Sequence, residues 1–482
     1  MAAEAGRTLT VQQALSHGFA LQTSGKRAEA EAVYRRILES VPAQPDALHL
    51  LGVARRQSGH PEEAIVLIRR AIAANPKNPT YVSNLGTAYE AAGKEEDALK
   101  AYRRAVEMKP DFAETFQKLG ALLHRMGQKP QAAEAMTRAV VLKPDAAEWL
   151  AALGKVLMEM GRFDLAAPPL KRAVELKPDL AEAHYRLGVV HHADGKIEDA
   201  IAAHRRSVEL KPDNDSPLFA LTSLLLEQGK PEALLEECDR CLALDPGNRR
   251  VISAKIVALQ ELGRREEARA LLGFDNLIRP FEIPVPEGYA GIAEFNAALA
   301  DEVINHPSLV FEKSGHATKF GGHTANILVN PGPAVAVLEQ CMRRAVEEYM
   351  RGLELEPGHP FLDAMPDDWG LQAWAVVMDI KGHQVPHIHP AAWLSGCYYV
   401  KIPPPAPGQT DEHAGWIEFG RPQENMRTAA APDVRPFQPK EGTMFLFPGY
   451  LYHMTIPIET AERRISIAFD VVSKKNLGLL PY

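Results

Sequence analysis

Over roughly the first 270 residues, apolar and polar positions follow one another at helical spacing. A stretch such as Ala30-Glu31-Ala32-Val33-Tyr34-Arg35-Arg36-Ile37-Leu38 reads as an amphipathic helix, and such stretches recur between glycine and proline. Glycines stand at 25, 59, 93, 127, 161, 195, 229 and 263, and prolines at 42, 76, 110, 144, 178, 212 and 246, both in steps of 34. Small residues keep the same phase at Ala30, Ala64, Ala98, Ala132, Ala166, Ala200 and Ala268, with Leu234 the one break. A Leu-Gly pair keeps it too, at Leu51-Gly52, Leu85-Gly86, Leu119-Gly120, Leu153-Gly154 and Leu187-Gly188. Proline ends one helix of each unit, glycine turns the chain between its two helices, and alanine lets them cross closely. No unit can bury its apolar face alone, so the units must stack, leaving a concave groove.

The period stops after Leu272-Gly273. Three prolines in Ile278-Arg279-Pro280-Phe281-Glu282-Ile283-Pro284-Val285-Pro286 forbid a helix there. Helices are predicted over 290–304 and 334–353, the second with Leu338, Met342, Ala345, Val346 and Tyr349 roughly on one face. Lys319-Phe320-Gly321-Gly322-His323-Thr324 reads as a loop between them. From residue 370 the pattern becomes short β-rich runs split by Gly and Pro: Gln372–Ile380, Leu394–Ile402, Gly415–Phe419, Thr443–Phe447 and Arg464–Val472. Such runs suit a sandwich or small barrel. The expected organisation is a helical array over 1–272, a linker over 273–289 and a β-domain with flanking helices over 290–482.

Composition narrows the setting. A net charge of −8, with no run of Lys and Arg, argues against a nucleic-acid partner. Met1-Ala2-Ala3-Glu4-Ala5-Gly6-Arg7 lacks the apolar core of a secretory signal, and no stretch of about 18 apolar residues suggests a membrane span. Four cysteines (Cys238, Cys241, Cys341, Cys397) give no disulfide framework, so a cytoplasmic location is expected. Cys238-Asp239-Arg240-Cys241 has the C-x-x-C spacing but no second pair, and its place in the seventh unit favours helix packing. His191-His192 falls in a helix that the repeat already explains.

Candidate chemistry gathers near the C-terminus. His387 and His389 stand at i, i+2 in an extended segment, where side chains two apart share a face and can chelate one ion. His453 follows a strand and a Pro448-Gly449 turn, placing a third imidazole at a barrel rim. In the final strand Ile465, Ile467, Phe469 and Val471 fill one face, while Arg464 and Ser466 share the other. If the apolar face packs against helices, Arg464 points into the cavity, where an anionic ligand is its natural partner unless an internal carboxylate takes that place. Arg463 falls on the opposite face, His383 reads as a supporting or surface group, and His413 as a loop residue. Imidazole donors suit iron, and equally zinc, copper or nickel; Glu418 is an alternative acidic ligand to His389.

Two resemblances organise these features. The 34-residue array resembles the tetratricopeptide repeat, in about eight units over residues 10 to 272. That family binds peptides or proteins; with Leu50, Asn84, Lys118, Ala152 and Arg186 before the Leu-Gly pairs there is no repeated asparagine ladder, so an architectural or dimerising role stands beside peptide capture. The stretch from Trp374 through His387-Ile388-His389-Pro390, Leu394-Ser395-Gly396-Cys397-Tyr398-Tyr399, Phe447-Pro448, His453 and Arg464-Ile465-Ser466-Ile467-Ala468-Phe469 resembles the Fe(II)/2-oxoglutarate oxygenases, over about residues 280–475. This resemblance implies a double-stranded β-helix (jelly-roll) fold with Fe(II), 2-oxoglutarate and O2. It also implies His387 and His453 as metal ligands, and Arg464 with Ser466 as the clamp for the distal carboxylate of 2-oxoglutarate. That family usually carries a carboxylate two residues after the first histidine, where this chain has His389, so the implied metal set is His387, His389 and His453.

The expected protein is therefore multidomain: an all-α tetratricopeptide superhelix followed by a jelly-roll domain. Its expected activity is a 2-oxoglutarate-dependent dioxygenase hydroxylating a protein or peptide recruited by the repeats. The alternatives are the same chemistry on a small or carrier-bound molecule, and an interaction scaffold that has lost activity. No nucleic-acid or membrane partner is expected, and a homo-oligomer is left open.

Overall fold

The computed structural model of the 482-residue chain describes residues 9–212, 215–311, 317–406, 411–460 and 462–477. They fall into two compact units, Met1–Leu210 and Lys211–Tyr482. The first holds helices from Val11–Thr23 to Ile197–Leu210, joined as successive hairpins that pack mainly on their neighbours. This is the tetratricopeptide-like superhelix expected from the 34-residue period. The interhelical glycines turn the chain with positive φ, as at Gly93 (φ 71°). Within each hairpin a helical glycine admits a large residue from the partner helix. A Cβ at Gly86 would stand 2.6 Å from the Tyr102 ring. Tyr34, Ile68, Tyr102, Met136, Leu170 and His204 occupy this one position, and all are buried.

The second unit begins with four more repeat helices, Asp215–Glu227, Pro231–Leu244, Arg249–Glu261 and Arg265–Leu272. Cys238 and Cys241 are buried in the second of these and form no disulfide, in keeping with helix packing. The array does not stop at a free linker. Ile252, Ile256 and Leu272 are buried in the same core as Leu277, Phe295, Leu338 and the β-strands. Ser253 Oγ donates to the Tyr450 carbonyl at 2.6 Å, and the Tyr450 hydroxyl donates to the Leu271 carbonyl at 2.7 Å.

Ten strands follow: β1 (Arg279–Glu282), β2 (Val310–Phe311), β3 (Thr318–His323), β4 (Trp369–Gln384), β5 (Leu394–Lys401), β6 (Ile417–Phe419), β7 (Arg435–Phe437), β8 (Thr443–Pro448), β9 (His453–Thr455) and β10 (Arg464–Ser473). They form an antiparallel seven-stranded sheet, β1-β8-β5-β10-β4-β3-β2, and a three-stranded sheet, β7-β6-β9. This antiparallel architecture fits the expected jelly roll. Strands β2 and β7 were not expected, and two further segments differ from the reading given them. Residues 279–282, read as linker, add β1 to the sheet edge, where Pro280 lacks only a donor that faces outward. Residues 318–323, read largely as a loop, form β3. Its glycines allow close approach to β4, and its register shifts between Lys319 and Gly321.

Helices Ile292–Ile304 and Pro333–Arg351 cover one face of the large sheet. Ile465, Ile467, Phe469 and Val471 of β10 join Phe295, Leu299, Leu338 and Met342 there. Period-two alternation then turns Arg464, Ser466, Ala468 and Asp470 toward the opposite face. Among the described residues, no helix is long and apolar enough to cross a membrane.

Candidate metal centre

The inward face of the large sheet is set by strand register. Ser466 stands opposite Val376 of β4 and Tyr399 of β5, Ala468 opposite Trp374 and Cys397, and Asp470 opposite Gln372 and Ser395. The chain leaves β4 at Gln384 and crosses to the small sheet through Pro386. His387 and His453 exchange both backbone hydrogen bonds, at 3.1 and 3.0 Å, so one bridge ties the crossing to β9. The His389 N–H donates to the Gly449 carbonyl at 2.8 Å. Gly449 has to be glycine: a Cβ there would lie 2.2 Å from the Ala392 carbonyl oxygen and 2.7 Å from that of His389. The segment 387–389 is thus an isolated bridge followed by irregular chain, not the continuous strand that the i, i+2 spacing suggested, yet both rings come to one side.

The three imidazoles face one another. Ring centroids are 5.3 Å apart for His387–His389, 4.2 Å for His387–His453 and 5.0 Å for His389–His453. One ligand nitrogen from each lies within 4.8 Å of the others. In every ring Nδ1 is engaged: His387 with the Val385 carbonyl (2.9 Å), His453 with the Leu451 carbonyl (3.0 Å) and His389 with Asp470 Oδ1 (2.6 Å). A carbonyl can only accept, so the Nδ1–H groups of His387 and His453 donate, and each Nε2 lone pair is left for a ligand. Burial pushes the His387 imidazole down to about 3 and that of His453 well below its usual value, with neighbouring histidines adding to the effect. Both rings are held neutral, the form that binds metal.

The three open on a cavity of about 200 Å³ also lined by Trp374, Cys397, Tyr399, Phe447, Arg464 and Ser466. Arg464 is 4% exposed. Its Nη1 donates to the Gly415 carbonyl, its Cζ lies 5.3 Å from the Tyr399 ring centre, and its Nε has no partner. No described Asp or Glu pairs with it. A buried donor left unmade costs about 1–3 kcal/mol, so the guanidinium is set to receive an anion from the cavity.

The structure therefore brings His387, His389, His453, Arg464 and Ser466 to one cavity. Glu418, the alternative ligand, does not line the cavity: Arg421 grips both its oxygens, at 2.5 and 3.0 Å. Arg463 lies outside, bonded to Asp379 at 2.7 Å. His383 and His413 do not line the cavity; the first bonds the Lys381 carbonyl, and the second packs on Trp416. Two cavity groups, and one carboxylate behind the histidines, were not anticipated. His323, on β3, bonds Thr318 Oγ1 at 2.5 Å and lines the wall; reading β3 as a loop hid it. Cys397 and Asp470 lie at the in-phase positions of β5 and β10, and that parity is the signal that could have found them.

Comparison with known proteins separates the two halves. The family described as "Putative 2OG-Fe(II) oxygenase" matches residues 372–470, a span that holds His387, His389, His453, Arg464 and Ser466 and ends on Asp470. The family described as "Tetratricopeptide repeat" matches residues 15–79, 49–113, 118–180 and 151–215. The chain carries tetratricopeptide repeats and a domain of the Putative 2OG-Fe(II) oxygenase family. Similar solved structures include PilF from Pseudomonas aeruginosa (17% identity, 45% of this chain and 96% of that one, TM-score 0.40). Another is the C-terminal part of a repeat protein from Cytophaga hutchinsonii (16% identity, 50% and 98%, TM-score 0.42). A third is YrrB, titled a TPR protein with an unusual peptide-binding site (20% identity, 39% and 96%, TM-score 0.36). No curated protein matches the chain.

Proposed function

We propose that the chain is an Fe(II)- and 2-oxoglutarate-dependent dioxygenase that hydroxylates a protein or peptide recruited by its repeats. One observation carries this reading: three imidazoles with Nδ1 engaged and Nε2 free share a small cavity with a buried, half-satisfied guanidinium. The donor set fits a first-row divalent ion, and the charge on Arg464 fits a dicarboxylate. When bound, Fe(II) with 2-oxoglutarate and O2 supplies oxidative decarboxylation to succinate and CO2 and the transfer of one oxygen atom to a C–H bond.

The chain's own residues bind, orient and exclude. His387, His389 and His453 would hold the ion through Nε2, each ring kept in place by its Nδ1 contact. Arg464 would take the distal carboxylate of 2-oxoglutarate, with the Ser466 hydroxyl two residues along the same face. Trp374, Phe447 and Ile417 wall the cavity with apolar surface and keep water from the reacting centre. The three imidazoles bring no formal charge of their own to the ion, and the 2-oxoglutarate dianion offsets its double charge.

Succinate release from 2-oxoglutarate, with Fe(II) and ascorbate, is the direct test. His387→Ala or His453→Ala should abolish it, and retained turnover would sink the site assignment. Arg464→Ala should raise the KM for 2-oxoglutarate about 10- to 100-fold, the scale of a lost hydrogen bond to a charged group, while metal binding is spared. An unchanged KM would place the clamp elsewhere.

A further inference from the structure

The family resemblance leads one to expect a carboxylate where this chain has His389. A carboxylate is present all the same, on the far side of that imidazole. Asp470 is 4% exposed, and its Oδ1 accepts from His389 Nδ1 at 2.6 Å and from Ser395 Oγ at 2.8 Å. It stands on the inward face of β10, two residues beyond Ala468 and 81 residues from the ring it touches. No described Lys or Arg forms an ion pair with it. The partly buried Arg249 guanidinium senses its field without bonding to it. Burying a carboxylate away from water is expensive unless a cation compensates it.

The other two histidines lean on backbone carbonyls, which carry no net charge. Only His389 leans on an anion. A carboxylate behind an imidazole makes the opposite nitrogen a stronger donor, because charge moves through the ring toward the metal. Building on the proposed metal site, we infer that Asp470 is a positioning residue: it supplies through His389 the single negative charge that a directly bound carboxylate would provide. The metal face is then three imidazoles in its atoms, and close to two imidazoles and a carboxylate in its charge.

The test uses the metal-free full-length chain and Co(II) alone, followed by its visible d–d absorption. Asp470→Asn keeps the shape and can still accept the His389 Nδ1–H, but loses the charge. Co(II) affinity should fall about 10- to 100-fold, the usual cost of removing such a supporting group, and the d–d bands should shift. His389→Asp/Asp470→Asn returns one negative charge to the site, now in direct contact with the ion, and should recover most of that loss. It also keeps the inference testable if the single variant folds poorly, which far-UV circular dichroism would reveal. Wild-type affinity with an unshifted spectrum in Asp470→Asn, or a folded double variant that binds no better than the single one, overturns the role of Asp470. His387→Ala separates the two levels: if it binds Co(II) like the wild type, the metal-site reading itself falls. If it loses Co(II) while Asp470→Asn does not, only the present inference falls.

Discussion

Single residues carry their meaning in this chain by the register they occupy, and His204 shows it outside the metal site. It fills the position that holds Tyr34, Ile68, Tyr102, Met136 and Leu170 in other hairpins, pressed against Gly188. It is 1% exposed, its Nδ1 has no partner, and burial, with His192 adding to it, lowers its pKa to about 4. In the unfolded chain an imidazole titrates near the ordinary 6.5. Between those two values the unfolded chain binds a proton that the folded one refuses, so stability falls as pH drops from 6.5 toward 4. His204→Leu should remove that slope and spare the repeats a loss of about 2 kcal/mol at pH 5, read from urea unfolding free energies at pH 5 and pH 7.5. An equal shift of wild type and variant over that range would show that another group is responsible. The same dependence on register explains which site residues could be found from sequence. His387, His389, His453, Arg464 and Ser466 have spacings that point to chemistry by themselves. Asp470 lies in an apolar strand, and its partner is known only once β10 is placed beside the 387–389 segment.

At the scale of elements, periodicity made the helices and the long strands legible, because repeats of 3.6 and 2 residues survive any tertiary context. The missed strands β1, β2, β3 and β7 are short, and all but β2 are glycine- or proline-marked. β1 is stabilised by an open sheet edge and β3 by a bulge, and neither leaves a local pattern. Gly321 is the critical residue of that bulge. A Cβ there would stand 2.6 Å from the Val377 carbonyl oxygen and 2.9 Å from Thr318 Cγ2. Backbone cannot yield as a flexible side chain would, so Gly321→Ala should push β3 away from β4 and cost about 1–3 kcal/mol, the range for overpacking. Hydrogen exchange supplies the check: amides of Gly322 and His323 should lose protection, whereas those of β5 and β10 keep theirs. Uniform loss across all four would mean global destabilisation instead of a local break.

At the scale of the molecule, the 34-residue period and the compact unit disagree about where the repeats end. The period runs through Leu272, but the second unit begins at Lys211, so the last four repeat helices pack as part of the β-domain. Ile252, Ile256 and Leu272 are each 5% exposed or less within that shared core, and each such side chain contributes about 1.5–3 kcal/mol through burial. Stripping three of them removes a large part of the roughly 5–15 kcal/mol that holds an ordinary domain folded. The cut would also orphan the Tyr450 hydroxyl and leave the Tyr450 carbonyl without Ser253. Tyr450 follows Gly449, whose carbonyl anchors His389, so the damage would reach the metal site through one peptide unit. A fragment of residues 211–482 should therefore unfold in one cooperative urea transition and bind Co(II) like the full chain. A fragment starting at residue 273 should unfold without cooperativity and bind the ion poorly. Cooperative unfolding of the shorter fragment at the same midpoint would show that the repeat helices merely lean on the β-domain. If the longer one alone folds, whatever docks on helices 215–272 is held at a fixed position relative to the cavity.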